Sequence, residues 1–313
     1  MFKFLVSRIL SIVPTLLLVS MMVFSLQQLM PGDPAKILAG EEQSPEVVAY
    51  FRAKLHLDDS LITRYGYWIK DVTSGDFGVS QRTEQPVLQL IGTKLPVTFE
   101  LATLAMFFAL LIGIPAGILS AVYRGSVIDH GVNVVALWGL STPNFWLGIL
   151  MILFFSVYLG WLPASGYVSP VDDLWGNLKT MIMPAFVLGN SIAAVIMRHT
   201  KSAMLGVLSS DYIRTARAKG LSEKDVIIKH ALRNALMPVI TLGALELGTL
   251  LSGAVLTEQI FSIPGFGKML VDAVFNRDYL VVQGTVLVTA CGYMFANVAA
   301  DFAYFVVNPR LRR

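Results

Sequence analysis

The sequence predicts an all-α integral membrane fold with six transmembrane helices, and three observations carry that prediction. Hydrophobic residues fill 55% of the 313 positions and charged residues only 14%, a balance that places the chain in a bilayer. The apolar residues are gathered in blocks: residues 9–26 and 101–123 are free of charge, as is all of 130–171, and 180–197 follows. Residues 234–257 are interrupted only by Glu246, and 279–308 only by Asp301. About 20 apolar residues cross the hydrocarbon core, so these blocks, the shorter ones extended by their flanks, read as six spans. The third observation is a polar, basic insert, residues 211–238, held between two oily segments. It must lie in water.

Taken in order, residues 1–30 form the first span. Lys3 and Arg8 precede its apolar run as in a secretory signal, but the run is long and no small-x-small cleavage site follows, so it reads as an uncleaved helix. Residues 31–96 form an external segment. Ser44-Pro45-Glu46 opens a helix there, with Ser44 as cap and Pro45 at the first helical position. A second helix over 61–72 carries Tyr65, Tyr67 and Trp68, and Gly75-Asp76-Phe77-Gly78 is turn chemistry. This segment either folds onto the outer mouth of the bundle or rests its aromatic rings at the lipid interface. Residues 97–313 hold the other five spans, with a cytoplasmic loop at 198–237. Gly113 and Gly117 in the second span make a small-xxx-small pattern that lets helix backbones approach closely; Gly248 with Ser252, and Ala296 with Ala300, invite the same reading. The third block is expected as one kinked or tilted span over 132–158, although Pro143 in Ser141-Thr142-Pro143-Asn144 also permits two short helices. Trp161, in Gly160-Trp161-Leu162-Pro163, marks its interfacial end.

Basic residues set the orientation. Six spans place 14 of the 24 Lys and Arg residues on the side of the termini and the 198–237 loop. Seven of the other ten lie in the long 31–96 segment, and long loops cross with little regard to charge. Both termini are therefore expected in the cytoplasm. The net charge of +3 follows from that rule and calls for no nucleic-acid partner.

Catalytic patterns are missing from the sequence. Gly267-Lys268 lacks the rest of a phosphate-binding loop, with Ser262 and Met269 at the positions that need Gly and Ser or Thr. His56, His130, His199 and His230 show no metal-ligand spacing, and Gly-x-Ser-x-Gly does not occur. Cys291 is the single cysteine, so no disulfide forms within the chain. No catalytic residue, metal or cofactor is expected on this chain. Two acids lie within spans, Glu246 and Asp301. An ionised acid at mid-bilayer costs roughly 2.5–3.5 kcal/mol on insertion scales, so each should face the bundle interior, a partner or water. They read either as the polar wall of a translocation pathway or as buried hydrogen bonds between helices. Glu100 and Asp129, near span ends, read as boundary residues.

The insert reads as two short helices hinged at Gly220. Ser222 and Asp225 have capping-box spacing, and Ile227, Ala231 and Ala235 repeat every four residues beside Ile228, Leu232 and Leu236. Such an apolar stripe needs a surface to lie against.

Asp211, Tyr212, Ile213, Arg214, Thr215, Ala216, Arg217, Ala218, Lys219, Gly220 and Leu221, followed by His230-Ala231-Leu232-Arg233-Asn234-Ala235 and Pro238, resemble the cytoplasmic signature loop of ABC importer permeases. The subgroup resembled is the dipeptide, oligopeptide and nickel one, B-type subunit. Pro31-Gly32-Asp33-Pro34, Pro96-Val97-Thr98-Phe99-Glu100-Leu101, Phe261-Ser262-Ile263-Pro264-Gly265-Phe266-Gly267, Asn276-Arg277-Asp278-Tyr279 and Asn308-Pro309-Arg310 extend the resemblance over almost the whole chain. Arg214 stands where the broader signature has an acid, as is common in this subgroup. The resemblance implies a bacterial inner-membrane permease that pairs with a second homologous permease, two cytoplasmic ATPases holding ATP and Mg, and an external substrate-binding protein. The loop would act as a coupling helix seated in one ATPase, with Ala216 and Ala218 allowing close approach and Arg214, Arg217 and Lys219 meeting acidic side chains. Peptides are the expected cargo, with nickel complexes, glutathione or another small solute as alternatives. A membrane scaffold or receptor that docks a cytoplasmic partner without transport is the rival class.

Overall fold

The computed structural model describes residues 2–29, 33, 35–36, 39, 44–54 and 56–307, with side-chain positions for all of these except 2–11, 26–29, 251–253, 297 and 299–307. Among them the chain is helical apart from turns, loops and a single extended pairing of Val79 with Pro86. The first helix, α1 (Phe2–Leu29), carries Pro14 in its interior. In the external segment α2 (Pro45–Lys54) opens at Pro45, as the Ser44-Pro45 pair requires. The next helix, α3 (Leu61–Thr73), starts where the Ser60 hydroxyl accepts from the Thr63 N–H. After it come α4 (Val87–Val122), α5 (Val127–Ser141), α6 (Asn144–Met151) with a π-helical continuation over Ile152–Tyr158, and α7 (Leu174–Leu208).

Three helices are long and apolar enough to cross a membrane among the described residues: α4, α7 and Tyr279–Ala296 of the last helix. The α5–α6 pair also qualifies if it is counted as one broken span, and Ile12–Ser25 is a shorter apolar helix. The fifth block lies in a helix of 21 residues, α10 (Arg233–Gly253), about 31 Å long at 1.5 Å per residue.

The third block is broken into two helices, the arrangement that Pro143 permits. Helices α5 and α6 meet at 100°. Thr142 adopts an extended conformation and turns its N–H and hydroxyl back to the Trp138 carbonyl. Pro143 has no N–H to continue the ladder, and its ring excludes a helical carbonyl one turn earlier. Trp161 lies exposed just beyond Gly160, whose φ of +64° ends the π-helical run.

The described residues gather into two compact units, Met1–Lys94 with Met269–Cys291, and Leu95–Lys268 with Gly292–Arg313. In the first, Phe24 packs on Tyr65 and Trp68 of α3, at 5.6 and 5.7 Å between ring centroids, and the Ser20 and Tyr65 hydroxyls share a 2.7 Å hydrogen bond. Part of the aromatic set of α3 thus packs on the first span. Asp278 is buried there and accepts from the Ser80 hydroxyl at 2.5 Å.

In the second unit the core is built mainly from α4 and α7, around Leu101, Met181, Met183 and Ile196, with Leu250, Phe261 and Ile263 from later in the chain. The small residues explain the fit. A Cβ at Gly113 would stand 2.6 Å from the Ala193 carbonyl oxygen, and one at Gly117 would stand 2.5 Å from the Thr200 side chain. The Gly113–Gly117 pattern is a backbone contact with α7, the packing role the sequence predicts. A Cβ at Gly248 would likewise reach Ala296 at 3.2 Å.

Candidate functional site

Residues 211–221 are built as a short, firmly seated helix with a charged outer face. Helix α8 (Asp211–Ala218) begins after Ser210 and exposes its acidic first turn, which suits the positive end of the helix dipole. Ile213 and Ala216 face inward and are buried, together with Ala121 of α4, Met204 of α7, and Val226, Ala231 and Ala235 downstream. Ala216 therefore serves the chain's own core and is not available to a partner, a correction to the sequence expectation. Ala218 stays exposed, and the period of the helix accounts for the split: Ile213 and Ala216 are three apart on one face.

The outer face carries Tyr212, Arg214, Thr215, Arg217, Ala218 and Lys219, all exposed. Arg214 pairs with Asp211 at 3.2 Å, and Arg217 holds Glu223 through two hydrogen bonds of 2.8 and 3.2 Å. Gly220 then turns the chain with φ +80°, a left-handed conformation that glycine adopts without strain. Its N–H returns to the Arg217 carbonyl at 2.9 Å. Gly220 thus forms the turn that ends α8.

Beyond it the Ser222 hydroxyl accepts from the Asp225 N–H, the cap the spacing predicts. The salt bridge from Lys229 and the Ser222 hydroxyl hold the Asp225 carboxyl below the usual carboxylate range. The residues after this cap do not form a second separate helix. The single turn α9 (Glu223–Asp225) leads into a π-helical stretch, Val226–Leu232, which passes directly into α10. No glycine interrupts residues 222–242, and Pro238 is accommodated inside α10. The wider π turn shifts the side-chain register, so Ala231 and Ala235 are buried while Ile228 remains 51% exposed. The Asn234 amide donates to the Tyr212 hydroxyl at 2.8 Å, tying α10 to α8. Tyr212, Leu221 and Ile228 leave an apolar margin, 43%, 40% and 51% exposed, around the basic face.

Glu246 lines a cleft of about 200 Å³, walled by Leu140 and Asn144 at the α5–α6 break, Ser191 and Ile192 of α7, and Thr249 of α10. Asp301 lies on the last helix, α13 (Tyr279–Val307), but its side chain falls outside the described residues.

The acids with the most developed surroundings are ones to which the sequence assigns only a minor role or none. Asp129 is buried and accepts from Lys201 Nζ at 2.5 Å, the Gly125 N–H at 3.0 Å, Asn133 Nδ2 at 2.7 Å and the Ser120 hydroxyl. It joins the end of α4, the start of α5 and α7, beside the cluster that seats α8. Glu100 accepts from Asn177 Nδ2 at 2.6 Å and the Tyr167 hydroxyl at 2.8 Å. Burial, with Glu100 beside it, pushes the Tyr167 phenol up to about 12. Neither acid is a simple boundary residue. Glu258, on α11 (Val255–Ile260), is fully buried. Its carboxylate accepts from the Thr98 hydroxyl and from the Lys268 N–H at 2.7 Å, and the Phe266 N–H donates to Thr98 at 2.8 Å. The Phe266 and Lys268 N–H groups lie at the start of α12 (Phe266–Phe275), where helix N–H groups are free to meet an anion or another acceptor. A Cβ at Gly265 would fall 2.2 Å from that carboxylate, which gives the Pro264-Gly265-Phe266-Gly267 run a reason that its residue types alone do not disclose. Among the described residues no group of His, Cys, Asp and Glu is arranged to hold a metal ion.

Comparison with known proteins agrees with this architecture. Residues 113–313 match the family described as binding-protein-dependent transport system inner membrane component, and residues 1–102 match its N-terminal companion. The dipeptide transport system permease protein DppB of Escherichia coli is 44% identical, with 100% of this chain and 99% of that protein covered. The di/tripeptide transport system permease protein DppB of Pseudomonas aeruginosa is 43% identical over 100% and 99%, and a putative peptide transport system permease protein of Brucella abortus is 43% identical over 97% of each. Among solved structures, an inward-facing MetNI methionine ABC transporter shares the fold with a TM-score of 0.57 at 22% identity, over 71% of this chain and 97% of that one. The full-length relatives and the two family matches place the helical bundle with its basic loop: this chain belongs to the inner-membrane components of binding-protein-dependent transport systems.

Proposed function

We propose that this chain is one of two permease subunits of an ABC importer for di- or oligopeptides, and that α8 transmits the motion of a cytoplasmic ATPase to the bundle. The observation that carries the reading is the construction of α8: Ile213 and Ala216 anchor it to α4, α7 and α10, while Arg214, Arg217, Ala218 and Lys219 face outward. A helix seated in this way moves with the bundle when its outer face is pushed. In the proposed topology six spans cross the membrane, the termini and the 198–237 loop are cytoplasmic, and the outer segment meets a substrate-binding protein. Two ATPases bind ATP with Mg and supply the free energy. ATP must bind the two states of the assembly with different affinity, and α8 conveys that difference to the pathway. The peptide assignment rests on the names of relatives that are 43–44% identical over nearly the whole chain; nickel complexes and glutathione are the alternatives.

The test uses the assembled complex. A photo-crosslinking side chain at Ala218 should link to an ATPase subunit, and the purified complex should contain a second permease. Adding the binding protein with a dipeptide should raise ATP turnover. Adducts to lipid alone, or ATP turnover indifferent to loaded binding protein, would remove the reading in favour of a docking scaffold. Mass spectrometry of whatever the binding protein retains separates peptide from nickel complex and glutathione.

A further inference from the structure

We propose that the cleft at Glu246 receives the ammonium group of the passing solute, so that this chain contributes a recognition site within the pathway itself. The inference rests on the transport reading above and adds to it the chemistry of the site. Glu246 makes no hydrogen bond or ion pair among the described residues. A carboxylate kept in the membrane to tie helices together would carry such a bond, as Asp129 and Glu258 do. A carboxylate that lines an open cleft without a partner has its acceptor capacity free for something that arrives.

The walls favour one class of arrival. Asn144, Ser191 and Thr249 supply an amide and two hydroxyls around the acid, and Ile192 and Leu140 supply apolar contact. The cleft also lies where the helix is broken: Pro143 separates α5 from α6, and no side chain caps the first turn of α6. Interrupted helix at membrane depth is tolerated only where protein buries it or where it lines a cavity. An ammonium group has three donors and no acceptor, which suits one carboxylate with neighbouring hydroxyl oxygens. A bare divalent cation suits it less, since calcium takes six to eight oxygen ligands and magnesium six, and Glu246 is the sole carboxylate among the described residues of the wall. The free amino terminus of a peptide is the ammonium that the transport reading supplies.

The test has two arms, both in the assembled transporter in proteoliposomes. In the first, uptake of a dipeptide with a free amino terminus is compared for wild type, Glu246→Gln and Glu246→Asp. Glu246→Gln should lower uptake about tenfold, the scale of losing a charged hydrogen bond. Glu246→Asp should restore most of it. In the second, Ser191→Cys in a Cys291→Ser background is labelled with 2-aminoethyl or 2-sulfonatoethyl methanethiosulfonate. Modification is read by mass spectrometry and scaled to each reagent's rate on a free thiol. The cationic reagent should react about tenfold faster, and Glu246→Gln should erase the preference. Equal labelling rates, a preference that survives Glu246→Gln, or wild-type uptake in that variant each overturns the proposal. A wild-type complex that imports no peptide yet keeps the charge-dependent labelling overturns the peptide reading and leaves the cationic cleft standing.

Discussion

At Gly189 the Ala105 carbonyl oxygen lies 2.4 Å from where a methyl group would begin, so this residue sets how closely α4 and α7 approach. Gly189→Ala should cost about 1–3 kcal/mol, the usual penalty for overpacking a filled core, and should appear as a lower unfolding temperature of the detergent-solubilised protein. Glu258 presents the opposite problem, a carboxylate without access to solvent that persists because the Thr98 hydroxyl and the Lys268 N–H donate to it. Thr98→Val keeps the shape but removes the hydroxyl, leaving both Glu258 and the Phe266 N–H short of a partner. It should cost about 1–3 kcal/mol, whereas Thr98→Ser should be close to wild type in the same unfolding measurement. The motif run at 261–267 is readable in the sequence, but its partner at position 98 is not: the two lie some 160 positions apart, and a hydrogen bond at that separation leaves no local pattern.

Helix α8 shows how an element can be legible in outline and opaque in detail. Its boundaries, its basic character and the glycine that ends it follow from residues within one or two turns. Which of its alanines faces inward depends on the hydrophobic cluster formed with Met204 and Val226, and that only the packed chain decides. Ile213→Ala should loosen the helix by about 2–5 kcal/mol, seen as faster hydrogen exchange confined to residues 211–221. Gly220 tests the same element from its end. Since φ is +80° there and nothing lies within 4 Å of an added Cβ, Gly220→Ala should cost about 1 kcal/mol of backbone strain. Gly220→Trp adds bulk that would meet only the proposed ATPase. Peptide uptake by the assembled complex should be lost in the Trp variant and largely retained in the Ala variant, and normal coupled uptake in both would count against the hinge.

Across the whole molecule, Asp129 is the point where α4, α5 and α7 are joined, close to the cluster that receives α8. Asp129→Asn leaves the Lys201 ammonium without its partner, and Lys201→Met leaves Asp129 charged and buried; each should lower stability. The double variant should lose less than the sum of the two, since removing both charges avoids the unpaired one. Residue order alone determined that this chain lives in a membrane, roughly where its spans lie and which loop is basic, because partitioning into lipid is summed residue by residue over windows of about 20 positions. Gly113 and Gly117 also announced close helix contact without naming the partner. The tertiary structure alone decided that the third block breaks at 100°, that the second loop helix is an extension of α10, and that Glu246 faces a cleft while Glu258 and Asp129 are held in hydrogen-bonded networks. These outcomes depend on contacts between residues distant in the chain, whose free energy exists only after the helices have packed.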